Sequence, residues 1–516
     1  MLLAIAFGSP AQVWTSQYDN ARTGANLHET VLTPANVNDR GFGKIFTLPV
    51  DGDLYAQPLY VPHVEIPGKG MHNVVFAATE HDSVYAFDAD GQSPDPLWHV
   101  RFLGPGVTPV PARDVSCPFI TPEIGITPTP VIDVKTGTLY VLARTKESHG
   151  LLSASRYVQR LHALAITTGV EKFGGPVEIQ ASVKGRGAGG SQGEVPFDPL
   201  RELPRAGLAL ANGHVFLTWA SSCDVGPYHG WVMAYDARTL RQEAVFNTSP
   251  DAQESGIWQS DTAPAVDDQG NVFVATGNGK FDAVSNGRDY GDSLLKLGLA
   301  DRSLVVRDFF TPFNERELNS DDANLGSGGP VLLPPQPGGR PHLVLVAGKA
   351  GSLYVVDADQ MGKYQPGSDS HAVQVLELQG DSYAAPAYWN GHVYFLATND
   401  ALKDFRVEHG KLAPRPVAVG SQRFGNPGAT PAVSANGSRN GIVWLIETKA
   451  WNGGDRPAVL RAFDAANVAR ELYNSEQHPA RDRVGLTLRF TIPTVANGRV
   501  YVDAKRELDV YGLLPR

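Results

Sequence analysis

Three observations in the sequence predict an all-β fold, an eight-bladed β-propeller whose blades are four-stranded antiparallel sheets. A turn-and-strand motif occurs eight times, a proline-led segment precedes seven of the copies, and one predicted strand near the N-terminus belongs to no unit. The 54 glycines, 38 prolines and 19% charged residues are typical of a turn-rich β protein. The 516 residues are enough to bury a large core.

The repeated motif reads X-Gly-X-[Val/Leu]-aromatic. Its glycine permits a turn with positive φ, and the alternating residues that follow predict a half-buried strand. The close copies are "TGTLYV" (136–141), "NGHVFL" (212–217), "QGNVFV" (269–274), "NGHVYF" (390–395), "NGIVWL" (440–445) and "NGRVYV" (497–502). The looser copies are "HNVVFA" (72–77) and "RPHLVLV" (340–346).

Each copy belongs to a unit of about four strands. A proline at the start of a strand costs no ladder hydrogen bond, so the proline-led run before each motif is predicted to be the first strand. These prolines are Pro58, Pro130, Pro264, Pro330, Pro386, Pro431 and Pro493, and the remaining unit has "AGLAL" from Ala206. A third strand follows the motif, as in "SVYAFDAD" (83–90) and "SLYVVDAD" (352–359), and a fourth follows in most units, as in "PLWHVRFL" (96–103).

The units are too small to bury a core alone, so radial stacking of eight of them predicts a propeller. The last unit ends after its third strand, "ELDVYGLL" (507–514). We therefore expect the spare strand "KIFTLPV" (44–50) to supply the outer strand of the last blade and to close the ring. Residues 12–516 would then form a single domain. A pair of sandwiches or two separate domains is the alternative, and the spare strand argues against it.

The N-terminal sequence "MLLAIAFGSPAQVW" predicts residues 1–11 to be a residual signal peptide without its basic leader. A frayed apolar tail is the alternative, and the apolar run is too short to span a bilayer. We expect an exported protein, periplasmic or secreted. Cys117 and Cys223 are compatible with one disulfide in an oxidising compartment. The net charge of −10 and the lack of a basic block argue against nucleic acid or an anionic membrane as partner.

Polar side chains concentrate in the loops between the second and third strands. In a propeller these loops share one face with the loops that join the blades, so the side chains would meet at the mouth of the central channel. Any single one could equally be a solvated surface group. They are Glu80, His81, Asp224, His229, Asn278, Lys349, Asn399, Asp400, Lys449 and Trp451.

With these repeats, and with the opening segment "WTSQYDNARTGANLHETVLTPANV" (14–37), the chain resembles the pyrroloquinoline-quinone (PQQ) propeller superfamily of quinoprotein alcohol dehydrogenases. The resemblance implies that Asp224 and Asn278 hold a calcium ion against the quinone. It implies that Lys349 lies beside the reactive quinone oxygens and that Trp258 forms the floor under the quinone. A catalytic aspartate would accept the proton of the substrate hydroxyl.

The sequence departs from the family pattern at several positions. Alignment on "LGSGGPVLL" puts Asn324 at the place of the catalytic aspartate, and Asp322 or Asp321 could replace it only with a shifted loop. The family often has two adjacent cysteines beside the quinone, whereas Cys117 and Cys223 are apart and would join blades 2 and 3 if bonded. There is no Cys-x-x-Cys-His motif, and so no built-in c-type haem.

Two functions follow as hypotheses. The first is a calcium- and PQQ-dependent dehydrogenase that oxidises an alcohol or a sugar, with Asp322 and Lys349 as catalytic candidates. The second is a non-enzymatic propeller that binds a protein or a glycan on the loop-rich face, as an envelope scaffold. A hydrolase or lyase built on Glu80, Glu123 and two histidines, His81 and His229, is a third reading of the same loops.

Overall fold

The repeats fold into eight antiparallel sheets, named here blades 1 to 8 in the order of their first strands. The computed structural model describes residues 11–148, 154–260, 262–448 and 456–515. The predicted all-β, eight-bladed propeller of mostly four-stranded blades is confirmed. Most of the predicted signal peptide lies outside the described residues. Among the described residues, no helix is both long and apolar enough to cross a membrane.

The first four blades follow one another along the chain, each with its strands in sequence order. Blade 1 consists of Leu59–Ile66, Gly70–Ala78, Ser83–Asp88 and Trp98–Arg101. Blade 2 consists of Val131–Asp133, Thr138–Glu147, Arg156–Ala165 and Val177–Glu178. Blade 3 consists of Ala209–Ala211, His214–Ser221, Trp231–Asp236 and Gln242–Asn247. Blade 4 consists of Ala265–Val266, Val272–Ala275, Leu294–Ala300 and Ser303–Thr311.

Blades 5 to 7 repeat this order, and blade 8 takes its outer strand from the other end of the chain. Blade 5 consists of Val331–Leu332, Leu343–Ala347, Ser352–Asp357 and Gln374–Glu377. Blade 6 consists of Ala387–Trp389, His392–Phe395, Asp400–Glu408 and Ala418–Phe424. Blade 7 consists of Ala432–Asn436, Arg439–Glu447, Val459–Asp464 and Glu471–Asn474. Blade 8 consists of Thr494–Ala496, Arg499–Ala504, Glu507–Leu513 and Phe42–Pro49.

The described residues also form short elements in the connections between strands. The additional strands are Ala25–Asn26, Val107–Pro111, Glu123–Ile124, Ser182–Lys184, Glu194–Pro196, Glu202–Leu203, Lys363–Tyr364 and Lys411–Leu412. The α-helices are Ala112–Val115, Glu315–Ser320 and Pro479–Asp482, and the 3₁₀ helices are Ala283–Ser285 and Leu325–Ser327.

The spare N-terminal strand pairs antiparallel with the last strand of the chain. Phe42 lies opposite Leu513, and Pro49 lies opposite Glu507. The apolar face of this sheet packs against blade 7, where the ring centroids of Phe42 and Trp444 are 5.5 Å apart. Aromatic contacts of this kind bury large apolar areas between neighbouring blades, which no blade could bury alone.

The first strand of each blade lies near the axis of the ring. The first strands of blades 2, 3, 4 and 5 contact one another in succession, and so do those of blades 6, 7 and 8. A segment near the N-terminus, called here the N-terminal plug (residues 13–26), crosses the space between them. The plug has at least one hydrogen bond to the first strand of every blade. The partners on these strands are Tyr60, Ile132, Leu210, Val266, Leu332, Tyr388, Val433 and Val495.

Candidate functional site

A cavity of about 290 Å³ lies at the end of the ring where the chain enters the first strands. Both kinds of loop predicted to share a face contribute to its wall, since some lining residues precede first strands and others follow second strands. From loops before first strands come Tyr55, Arg205, Trp258, Ser260, Ser327, Tyr383, Arg489 and Phe490. From loops after second strands come Ser222, Cys223, Asp224 and Lys349.

The Asp322 carboxylate is the centre of the polar wall of this cavity. Its Oδ1 accepts hydrogen bonds from Asn278 Nδ2 at 2.7 Å and from Asn324 Nδ2 at 2.7 Å. The same oxygen is 3.0 Å from Lys349 Nζ. The Asp322 side chain is 65% exposed and that of Lys349 is 20% exposed, so the carboxylate is accessible from the cavity while the ammonium group is mostly covered.

The loop that carries Asp322 is held by hydrogen bonds from two neighbouring segments. Asp322 follows the helix Glu315–Ser320 in a left-handed conformation, with φ of 55°. Beyond it, Leu325 N–H donates to Asp292 Oδ1 at 2.9 Å, and Lys349 N–H donates to the Asn324 carbonyl at 3.0 Å. Asp292 is buried, and this burial raises the pKa of its carboxyl to about 7. The position of Asp322 is therefore set by backbone contacts and not by Lys349 alone.

Asn324 is hydrogen-bonded to the backbone of Asn278, and Gly277 leaves the room that the Asn324 side chain needs. Asn324 Oδ1 accepts a hydrogen bond from Asn278 N–H at 2.8 Å. A Cβ atom on Gly277 would lie 2.0 Å from Asn324 Oδ1. The side-chain oxygen of Asn278, Oδ1, is buried and has no hydrogen-bond partner among the described residues. A buried amide oxygen without a donor is costly and is available to a ligand or an ion.

Asp224 also lines the cavity, in a loop of blade 3 that a disulfide links to the segment before blade 2. Cys117 and Cys223 are bonded, with Cα atoms 5.5 Å apart, as expected for a link between blades 2 and 3. Tyr228 Oη donates to Asp224 Oδ1 at 2.7 Å. Burial raises the pKa of Asp224, and the charge of Asp322 adds to the rise, whereas Tyr228 and the more distant Lys349 oppose it. The Asp224 and Asp322 carboxylates therefore influence each other electrostatically in this wall.

The residues to which the resemblance gave a cofactor or catalytic role lie at this cavity. Asp224, Trp258, Asp322 and Lys349 line it, and Asn278 is bonded to Asp322 just behind the wall. Trp258 packs edge-on against Tyr228, with ring centroids 6.1 Å apart, and its buried Nε1 has no partner among the described residues. Asn399 and Asp400 are not among the lining residues, and Lys449 and Trp451 lie outside the described residues.

Sequence reasoning missed a cluster of aromatic and cationic side chains that also lines the cavity. The Arg489 guanidinium lies 4.1 Å from the ring centroid of Phe119, and that of Arg205 lies 4.7 Å from the centroid of Phe490. Arg489 also donates to the Phe119 carbonyl at 2.8 Å. Burial lowers the pKa of Arg489 to about 10. These residues lie in loops without a motif, and only their position before first strands could have indicated them.

The four residues of the hydrolase or lyase reading do not form one site. His81 Nδ1 is 2.6 Å from Glu123 Oε1, while the buried Glu80 accepts from Gly125 N–H at 2.7 Å. His229 is bonded elsewhere, with Nε2 2.9 Å from the Ala188 carbonyl. None of the four lines the central cavity.

Comparison with known proteins extends only to structures. No protein-family model and no curated protein matches the sequence. The fold is similar to a quinohemoprotein alcohol dehydrogenase from Pseudomonas putida HK5, with TM-score 0.63, 13% identity, and coverage of 98% of this chain and 82% of that chain. The quinohemoprotein alcohol dehydrogenase from Comamonas testosteroni has TM-score 0.59 and 14% identity, with coverage of 97% of this chain and 80% of that chain. BamB from Moraxella catarrhalis has TM-score 0.50 and 12% identity, with coverage of 91% of this chain and 99% of that chain. The resemblance to the PQQ propellers is confirmed for the fold.

Proposed function

We propose that the protein is a calcium- and PQQ-dependent dehydrogenase that oxidises an alcohol or a sugar. The observation that carries the proposal is the accessible Asp322 carboxylate, whose Oδ1 is bonded to Asn278, Asn324 and Lys349 in the wall of the central cavity. A general base must be ionised and within reach of the substrate. Three donors fix the position of Oδ1, and the exposed side chain can reach a ligand in the cavity.

The donor set fits a calcium ion shared with a quinone. Asn278 offers an amide oxygen that has no hydrogen-bond partner within the described residues, and Asp224 offers a carboxylate in the cavity wall. Both are hard oxygen ligands of the type that calcium prefers. Within the described parts of the chain, no group of three or more His, Cys, Asp or Glu side chains is placed to hold a metal alone. The proposal therefore requires the quinone to complete the coordination.

The rest of the cavity fits a flat anion. PQQ is planar and carries carboxylates, and Arg205 and Arg489 supply positive charge in the wall of the cavity. Trp258 and the Cys117–Cys223 disulfide supply further lining surface. Planar guanidinium groups bind carboxylates through paired hydrogen bonds, which makes this wall suitable for the carboxylate end of the cofactor.

The chain's own residues have separate roles in this proposal. A bound quinone would supply the two-electron acceptor, and calcium the Lewis acid. Asp322 takes the proton of the substrate hydroxyl. Lys349, whose ammonium group is mostly covered, stabilises negative charge that develops in the cavity during reduction. Asn324 does not act as the base, because a carboxamide is not basic near neutral pH; its side chain instead bonds the backbone of Asn278 and the Asp322 carboxylate.

The test is dye-coupled oxidation of a panel of alcohols and sugars by protein reconstituted with PQQ and calcium. Asp322→Asn should lower kcat by about 10²- to 10⁴-fold, the usual contribution of a general base. Asp321→Asn is the matched control, since Asp321 is the adjacent exposed carboxylate and does not line the cavity. Equal activity of the two variants would remove Asp322 from the mechanism.

Lys349 is tested by Lys349→Ala and Lys349→Arg. Loss of the ammonium should lower kcat by about 10²-fold or more, as the loss of a preorganised electrostatic contact does, and arginine should restore part of it because it keeps the charge. A Lys349→Ala enzyme with unchanged kcat would leave this lysine as a turn residue.

The second candidate is a non-enzymatic scaffold that binds a protein or a glycan on the same face. One observation favours it: Phe119 exposes 40% of its surface beside the cavity, where a partner could cover it. Failure of PQQ to bind, with or without calcium, would favour this candidate.

We also propose that the protein works in an oxidising compartment, periplasmic or extracellular. The Cys117–Cys223 disulfide supports this, because such bonds persist where thiols are not kept reduced. Labelling of thiols in protein isolated from its host should show both cysteines blocked. Free thiols there would contradict export.

A further inference from the structure

A second cavity, called here the inter-blade cavity, opens between blades 1 and 2 and has a volume of about 440 Å³. Its size falls in the range of small-molecule sites. It lies at the outer strand of blade 1, away from the central cavity, and shares no lining residue with it. Its lining consists of Val100, Phe102, Val107, Ala143, Thr145, Glu147, Arg160, His162, Glu171 and Pro176.

Strand alternation brings its polar groups to one face of blade 2. Ala143, Thr145 and Glu147 occupy alternate positions of the second strand, and Arg160 and His162 occupy alternate positions of the third. The opposite face of these strands carries Leu142 and Leu161, for example, and packs against blade 3. Blade 2 therefore places polar and charged side chains on the face that it turns toward blade 1. Other side chains of blade 2, such as Leu139 and Val141, belong to the apolar core between these two blades.

Burying such groups is costly unless they are paired, and most of them are. Arg160 is bonded to Glu147, and His162 Nδ1 to Glu171. Thr145 is 4% exposed, yet its Oγ1 has no hydrogen-bond partner among the described residues. The Phe102 ring stacks on the imidazole of His162, with centroids 3.7 Å apart, and fixes its plane. The arrangement leaves the hydrogen-bonding capacity of the Thr145 hydroxyl unused by the described residues.

The charge of the cavity limits what it can bind. Burial lowers the pKa of His162 although Glu171 opposes this, which favours the neutral imidazole; its Nε2 is an acceptor when Nδ1 donates to Glu171. Arg160 pairs with Glu147, and the other carboxylate among the described lining residues is that of Glu171. Anions are disfavoured. A ligand with several hydroxyl groups and apolar patches would match the acceptors, the threonine hydroxyl, and the surfaces of Val100 and Pro176.

We propose that the inter-blade cavity is a binding site for a neutral saccharide, independent of the central cavity. The ligand's hydroxyl groups would donate to His162 Nε2 and exchange hydrogen bonds with Thr145 and Arg160. Its apolar ring face would cover Val100 and Pro176. The proposal does not depend on PQQ binding, so its failure and that of the dehydrogenase proposal are separable.

The test is ligand-observed saturation-transfer NMR of the full chain with glucose, galactose and N-acetylglucosamine, followed by titration of any binder. Binding of at least one sugar is expected, with an affinity at least tenfold lower in His162→Gln and in Thr145→Val. Thr145→Val removes only the hydroxyl and keeps the shape, so it remains informative if the histidine variant does not fold. His392→Gln is the matched control, since His392 forms a similar pair with Asp404 on blade 6.

Two results would overturn the proposal. One is that no sugar of the panel binds to folded wild-type protein. The other is that Asp322→Asn abolishes binding while His162→Gln and Thr145→Val leave it unchanged, which would place the sugar in the central cavity. Binding that survives Asp322→Asn and His392→Gln but is lost in the two blade 2 variants would support it.

Discussion

The N-terminal plug fills one level of the central channel with the chain itself, whereas the cavity beyond it is left open. The plug satisfies inner-strand polar groups through hydrogen bonds to all eight blades. The cavity leaves Asn278 Oδ1 and Trp258 Nε1 buried without a partner among the described residues. One set of strands thus supports a closed and an open region. Unsatisfied polar atoms are not confined to the cavity, since Ser16 Oγ, Gln17 Oε1 and Arg22 Nη2 of the plug are also buried without a partner among the described residues. What distinguishes the cavity is the open volume of about 290 Å³ that Trp258 lines, in which a ligand could satisfy such atoms.

The largest effect on stability is expected from Arg22→Ala, which removes side-chain hydrogen bonds of the plug. This buried guanidinium donates to the carbonyls of Pro264 at 2.9 Å and Ser16 at 2.8 Å, and to Thr15 Oγ1 at 2.8 Å. Arg22→Ala should lower the free energy of unfolding by about 3 kcal/mol or more, because each such bond to a charged group is worth about 1.5–3 kcal/mol. Chemical denaturation measures this. A loss below about 1 kcal/mol would show that the plug is not needed for closure.

The disulfide at the cavity is the next contact to break. Cys117 and Cys223 close a loop of 106 residues. The double variant to Ala should lose about 2–4 kcal/mol of stability, chiefly because the unfolded chain gains freedom. PQQ affinity should also fall, since Asp224 adjoins Cys223 in the cavity wall. A double variant with unchanged melting temperature and unchanged affinity would contradict both statements.

Two of the buried carboxyls, those of Glu80 and Asp292, make stability depend on pH. Burial raises the pKa of Glu80, and likewise that of Asp292, to about 7. A raised folded-state pKa means that the folded protein holds protons that the unfolded chain has lost, so this contribution is complete below about pH 4 and disappears as pH rises through 7. Each group contributes on the order of 3 kcal/mol across that window.

We therefore expect the melting temperature to fall between pH 5 and pH 8, and Glu80→Gln and Asp292→Asn to flatten the fall. An amide is neutral at every pH and is close in shape to the protonated acid. His81→Gln, next to Glu80, serves as a control for local disruption. The interpretation fails if both variants keep the wild-type slope.

The smallest effect on stability is expected at the site itself. Asp322→Asn keeps the shape of the side chain, and its carboxylate is 65% exposed. The change in the free energy of unfolding should stay within about 1 kcal/mol, as for exposed ion pairs. Comparison with Arg22→Ala under the same conditions sharpens the contrast between plug and cavity. A loss at Asp322 equal to that at Arg22 would mean that Asp322 is part of the scaffold.

Much of this could be predicted from the sequence, and the reasons are specific. The repeated glycine correctly predicts a turn with positive φ, which is 79° at Gly213 and 83° at Gly391. Asp224, Asn278 and Lys349 could be found because each follows a recognisable strand. The cavity role of Asp322 could be named only with a shifted loop, since its position depends on Asn324 bonding to the backbone of Asn278.

Other features carry no local signal. Arg205 and Arg489 reach the cavity from blades far apart in sequence, and no motif surrounds either. The contacts of the plug with eight blades depend on tertiary closure, which a single segment does not encode. The polar face of blade 2 reads as an ordinary alternating strand until its packing against blade 1 is known.

The most direct test of the central claim is a titration of metal-stripped protein with PQQ, with and without calcium, following melting temperature and quinone absorbance. We predict a calcium-dependent rise in melting temperature that saturates near one equivalent of PQQ, because a ligand that binds only the folded state stabilises it. Asn278→Ala should weaken the calcium dependence. No shift in either signal at saturating PQQ and calcium would contradict the account and leave the cavity to another ligand.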